Sequence, residues 1–277
     1  MCSVDYPKVR HPAVAGQFYP KNGETLRTTV RQYIAAAKIK PAPERVESLI
    51  VPHAGYMFSG QTAGYAYARV LGKKVKRVIL LGVSHFESFD TCSIYCKGVF
   101  QTPIGDFTVD ESFACDLAKV LGTVSTACHN SEHALEVQLP FLAESLGFVP
   151  IVPILFGAHP TKWHVDAAAT IADKAADNDL VIASTDLSHR LPQAQAELVD
   201  GRTIEAIMSQ NWEKVAQGVM KGVYAMCGAA AVVVAMNYAL NRGADAWVLL
   251  DYRTSAAASG DFNSVVGYAS ISMEHKR

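Results

Sequence analysis

Three histidines each stand a few residues past an apolar run of strand length. Ser48-Leu49-Ile50-Val51 leads into Pro52-His53, Val78-Ile79-Leu80-Leu81 into Gly82-Val83-Ser84-His85, and Leu180-Val181-Ile182-Ala183 into Ser184-Thr185-Asp186-Leu187-Ser188-His189. Imidazoles ligate metals and carry protons near neutral pH, so three of them in equivalent contexts point to a metal or acid–base site. Any one alone reads sooner as a loop imidazole bonded to a backbone carbonyl; the repetition is what favours a site. Cys227 joins them, in Met226-Cys227-Gly228-Ala229 just before a long Ala/Val segment. A helix N-terminus there would favour a thiolate, a ligand for zinc, copper or iron; the alternative is a small buried residue in a Gly/Ala turn. Together His53, His85 and Cys227 offer two imidazoles and one anion, the logic of a facial triad whose anion is usually a carboxylate.

Asp186 and His189 share a loop, where a carboxylate can orient an imidazole and raise its basicity, or simply cap a turn. With His53 and His85 on a metal, His189 is left as acid or base. His133 and Glu136 have the i, i+3 spacing of one helical face, which makes them either a wall of the site or a solvated first turn. His11 lies near Gly16-Gln17-Phe18-Tyr19, a candidate pocket rim, whereas His129, His159, His164 and His275 read as ordinary surface or loop residues.

These groups need a scaffold that gathers loop ends. Strand-length apolar runs are expected at Ser48–Val51, Arg77–Leu81, Thr91–Tyr95, Val149–Ile154, Leu180–Ser184, Trp247–Asp251 and Ser264–Ile271. Helical periods fit Glu24–Lys38, Gly60–Val70, Glu111–Leu121, Glu136–Leu146, Lys162–Ala176, Gly201–Ser209, Trp212–Gly218 and Ala229–Leu240. The alternation predicts an α/β fold with a central, mostly parallel or mixed sheet flanked by helices. In such sheets ligands bind outside the carboxyl ends of the strands, so histidines remote in sequence can converge there. Phe100 to Val109, with Thr102-Pro103-Ile104-Gly105-Asp106, reads as an irregular excursion with a hairpin. No repeat or long linker divides the chain, so residues 1–277 are read as a single domain.

Composition narrows the function classes. The chain has 277 residues, 50% of them hydrophobic, enough for a full core, and 25 Lys+Arg balance 26 Asp+Glu. Without a basic excess or stripe, nucleic-acid binding is not expected. No apolar run approaches the ~18 residues of a membrane span, and Met1 to Pro12 carry no apolar signal block, so a cytoplasmic protein is expected. The six cysteines, Cys2, Cys92, Cys96, Cys115, Cys128 and Cys227, are then expected as reduced thiols. Cys92 and Cys96 have the spacing of half a zinc site, but Ser93-Ile94-Tyr95 alternates like a strand and no second pair follows, which favours a structural role.

Taken together, the run His11 to Pro20, Pro52-His53-Ala54-Gly55-Tyr56, Ser84-His85, Thr102 to Phe107, Glu132 to Phe141, Ser184 to His189, Cys227-Gly228 and Gly267-Tyr268-Ala269 resemble the Memo family, whose prokaryotic members are called AmmeMemoRadiSam system protein B. The resemblance covers essentially the whole chain, with the motifs in family order. It implies a fold like that of class III extradiol ring-cleaving dioxygenases, and a metal triad at His53, His85 and Cys227. It further implies that Asp186 and His189 stand beside the metal, the latter resembling the dioxygenases' acid/base histidine, and that His133 lines the cleft. Fe(II) or copper binding and redox chemistry are implied, with a small aromatic or other small-molecule substrate, and radical-SAM and AMMECR-type proteins as system partners. The chain departs from the animal members in continuing Cys227-Gly228 with Ala229-Ala230, where those have a basic residue and a histidine. Beside a non-haem iron dioxygenase stand two other readings: a zinc-dependent hydrolase, and a non-catalytic metal- or peptide-binding protein.

Overall fold

The computed structural model describes residues 8–157 and 159–276; Cys2 lies outside them. Four strands, β2 (Val46–Val51), β3 (Val78–Val83), β7 (Ile151–Phe156) and β8 (Leu180–Ser184), run parallel in the order β2-β8-β3-β7. Nearly every residue of the four is buried, as strands covered on both faces require. Antiparallel strands extend the sheet: β4 (Cys92–Ile94) beside β7, and β11 (Val265–Glu274) then β10 (Ala246–Thr254) beyond β2. The expected mixed sheet is therefore present.

The predicted excursion is a hairpin of β5 (Val99–Thr102) and β6 (Gly105–Thr108), joined by β1 (Val9–Arg10) into a separate small sheet. A short strand β9 (His189–Leu191) pairs with the start of β11. Neither β1 nor β9 is long enough to leave an alternating pattern.

Helices α1 (Gly23–Ala36), α2 (Tyr56–Arg69) and α4 (Leu139–Ser145) pack on one another, and α2 also lies on β11, β10 and β2. Helix α8 (Ala229–Asn241), almost wholly apolar, packs on β2, β8 and β3 and is covered by α5 (Lys162–Lys174) and α7 (Trp212–Met220). The remaining helices are α3 (Glu111–Leu121), α6 (Gln193–Met208) and the short α9 (Ala256–Ser259). Most buried apolar residues from β2 through β11 form one contiguous core, with Ala196, Ala256 and Val265 in a small satellite cluster.

Two helices depart from their predicted bounds for identifiable reasons. Helix α6 starts at Gln193 rather than Gly201, because its buried face includes Asp200 and Thr203, which hide the apolar period. The segment predicted from Glu136 begins as a 3-10 turn, Glu136–Gln138, before α4. His133 thus precedes any helix, and it does not share a helical face with Glu136.

Candidate metal centre

Strand register sets the first pair. Val51 and Ser184 are partners across β2 and β8, so His53 and Asp186 stand at the same height two residues on. The His53 backbone N–H donates to Asp186 Oδ1 over 2.8 Å, and Asp186 Oδ2 lies 4.0 Å from His53 Nε2. His85 arrives from the end of β3, the neighbour of β8 on the other side. Cys227 enters from the loop before α8: its N–H donates to Asp186 O, and the Gly228 N–H donates to Thr185 Oγ1. A Cβ on Gly228 would come within 2.6 Å of Ser184 O, so only glycine lets this loop lie against the end of β8.

The donors converge. Cys227 Sγ is 3.2 Å from His53 Nε2, and the ligand atoms of His53, His85 and Cys227 all lie within 4.8 Å of one another. Sγ also accepts the Asp186 N–H at 3.2 Å. Burial alone would push the thiol up, but the His53 charge and hydrogen bonds from His53 and His85 outweigh it and bring Cys227 down to about 6. The same pairing acts in reverse on the rings. Burial would lower both, yet Cys227 and Asp186 raise His53, and hydrogen bonds to Cys227 and Glu132 raise His85. A thiolate facing two imidazoles whose Nδ1 atoms are already engaged, at Ser184 Oγ (3.1 Å) and Glu132 Oε1 (2.9 Å), is a donor set that fits a transition metal.

Glu132 and His133 complete the wall. Gly82 allows their segment to cross the end of β3, since a Cβ there would meet Leu135 at 2.7 Å. The His133 ring lies stacked on His85, centroids 4.5 Å apart, and edge-on to His53 at 5.3 Å. Burial, together with the charge on His53, lowers His133 to about 4. His85, Glu132 and His133 form a second potential ligand group among the described residues, but Glu132 Oε1 already accepts from Ala134 N and His85 Nδ1, and its Oε2 from His85 N. Both lone pairs of Oε1 are committed to holding the wall, and Oε2 keeps one free.

Other predicted residues make different contacts from those expected. His189 opens β9, exposed, opposite Val266. The carboxylate expected to orient it is engaged by His53 instead, while Ser188 N–H donates to the buried Asp200. Glu136 turns away from the site: it pairs with Arg10 and accepts from the Ala13 and Val14 N–H groups and the Tyr19 hydroxyl. That ties down the segment 10–19, whose Phe18 ring comes within 4.8 Å of His133; His11 is exposed there, against Gln101. Cys92 and Cys96 are buried, and among the described residues neither joins a cluster of three ligands. His129 and His164 are corrections to the surface expectation. Both are buried, one bonded to Ser93 O and the other closing the capping box of α5. Glu132, Ser184 and Gln138 were not singled out by sequence, although Glu132 adjoins His133 and Ser184 ends the strand that leads to Asp186.

The Memo-like protein family model matches residues 10–272. A MEMO1 family protein of Methanopyrus kandleri is 34% identical over 281 residues, covering 95% of this chain and 98% of the relative. Those of Methanobrevibacter smithii (36% over 278 residues) and Archaeoglobus fulgidus (34% over 266) cover the same shares. Among solved structures, an uncharacterized protein of Escherichia coli K12 matches with a TM-score of 0.53 at 12% identity, covering 83% of this chain and 100% of that one, which shows a shared fold. By the family match and by full-length relatives above 30% identity, this chain belongs to the Memo family.

Proposed function

We propose that the chain is a metal-binding oxidoreductase of the dioxygenase type, with non-haem iron held by His53, His85 and Cys227. The convergence of those three ligand atoms within 4.8 Å carries this reading. Bound Fe(II) would supply electron transfer and open coordination positions beside its three protein ligands.

The chain's own residues do the rest. Phe18, against His133, and the exposed Phe86, next to His85, offer apolar flanks suited to a small aromatic substrate. His133, stacked on His85, is placed to accept a proton from a substrate hydroxyl. Asp186 keeps Oδ2 towards the donor set while Oδ1 fixes the His53 backbone. His189, exposed at the start of β9, is proposed as the group that passes protons on to solvent. A thiolate is also soft enough for Cu(I) or Zn(II), which supports a second reading in which the site holds metal without turnover. On the family resemblance alone, radical-SAM and AMMECR-type proteins are proposed as system partners. No helix among the described residues is long and apolar enough to cross a membrane.

Anaerobic purification, elemental analysis and Fe(II), Cu(I) and Zn(II) titration test the centre. His53→Ala and Cys227→Ser should bind far more weakly, and unchanged affinity in both would remove the triad. Oxygen uptake with catechols by the Fe(II) form separates the dioxygenase from a metal carrier.

A further inference from the structure

Tyr67, Gln138 and Ser184 are buried behind His53, each no more than 1% exposed. The direction of every hydrogen bond among them follows from atoms that can act in one way only. Pro52 O has no proton to give, so the Gln138 atom 3.0 Å from it is the amide nitrogen. That orientation turns Gln138 Oε1 to the Tyr67 hydroxyl, which donates to it over 2.8 Å. It also points the second amide proton at Ser184 Oγ, 2.8 Å away. Ser184 sends its single proton to Ala134 O, 2.6 Å away, another atom that can only accept. Ser184 Oγ is left with one lone pair, and His53 Nδ1 faces it at 3.1 Å.

We infer that Ser184, its proton committed to Ala134 O and one lone pair to Gln138, is a positioning residue that keeps a proton on His53 Nδ1, so that Nε2, the nitrogen hydrogen-bonded to Cys227 Sγ, is the one that gives up its proton to a metal. The consequence for ligation rests on the metal-centre reading above; the lock itself does not. A ring free to choose would carry its proton on Nε2 part of the time, and a protonated nitrogen cannot ligate. The two histidines are thereby unequal ligands. His85 gives its Nδ1 proton to a carboxylate, which raises its basicity, whereas His53 gives its own to a neutral hydroxyl, which orients it with less charge transfer.

The test uses the full chain carrying Cys227→Ala, so that no thiolate competes for the Nε2 proton, labelled with nitrogen-15 histidine, freed of metal and read by NMR at a pH above that at which His53 becomes neutral. The remaining ring proton should sit on Nδ1. With Ser184→Ala added it should divide between the two nitrogens, and in the chain that keeps Cys227, Ser184→Ala should lower Zn2+ affinity, measured by chelator competition, about 10–100-fold. Tyr67→Phe leaves Ser184 an acceptor and should keep the Nδ1 tautomer. A neutral His53 protonated on Nε2 in the Cys227→Ala chain would overturn the inference, and this measurement decides it even if Ser184→Ala does not fold. So would a folded Ser184→Ala variant of that chain whose His53 proton stays on Nδ1. If the Nδ1 proton is found and the wild type yet binds no metal, the lock stands and the metal-centre reading falls.

Discussion

Glu132 grips His85 at two points: Oε2 accepts its backbone N–H at 2.7 Å and Oε1 accepts its ring Nδ1–H at 2.9 Å. Although burial would push the Glu132 carboxyl up, its hydrogen bonds to His85 hold it down at about 2, so it is ionised throughout the neutral range. A carboxylate in this position fixes both the loop and the ring of a candidate metal ligand. Glu132→Ala should weaken metal binding by about 10–100-fold. Glu132→Gln should fall between, because its amide oxygen can still accept one of the two N–H groups. Chelator competition measures both, and wild-type affinity in Glu132→Ala would show that His85 needs no such support.

Cys227 should be the first cysteine to oxidise. It is partly exposed and its thiol lies low despite burial, while burial pushes Cys92 up to about 12 and raises Cys128. Thiolate character and access together set susceptibility to peroxide. Peptide mass spectrometry after a brief peroxide pulse should find sulfenic or sulfinic acid at Cys227 first, with slower modification once metal is added. Earlier oxidation of another cysteine, or no protection by metal, would count against a ligating thiolate.

The buried pair of Arg10 and Glu136 should matter strongly to stability. Their side chains are 1% and 0% exposed, and removing one partner strands the other's charge. Arg10→Ala should cost about 3–5 kcal/mol in urea unfolding. Arg10→Met with Glu136→Leu should not recover the wild-type value, because the Ala13 and Val14 N–H groups lose their acceptor, at about 1–3 kcal/mol per unsatisfied buried group. Full recovery in the double variant would show that those two bonds contribute nothing.

His129 should make the fold acid-sensitive well above the carboxylate range. Burial lowers its ring to about 3, below the unfolded value of 6.5. Between those values the unfolded chain binds a proton that the native state excludes, so the contribution of His129 to stability is present above pH 6.5 and declines as the pH falls through that window. The slope from this one group approaches about 1.4 kcal/mol per pH unit. His129→Asn, able to keep a donor towards Ser93 O, should flatten the dependence by as much as one proton. Parallel wild-type and variant curves from chemical denaturation at successive pH values would place the acid sensitivity elsewhere.

The sheet and the candidate ligands His53, His85 and Cys227 were legible in the residues because both depend on local order. Apolar strands such as Val78–Val83 are long enough to show their character, and each candidate ligand lies within a few residues of a predicted element end. Full-length motifs then named the family. Partner choice was not legible, since it depends on distances across the fold. Asp186 stands close in sequence to His189, yet register places it level with His53, and the backbone N–H there takes the carboxylate. Glu136 follows His133 by three residues, but a 3-10 turn in place of the helix sends one side chain to Arg10 and leaves the other at the metal donors. Ser184 looks in sequence like any strand-end serine. Only packing from Gln138 and Ala134, remote along the chain, saturates its other hydrogen-bonding capacities and leaves a single lone pair for His53.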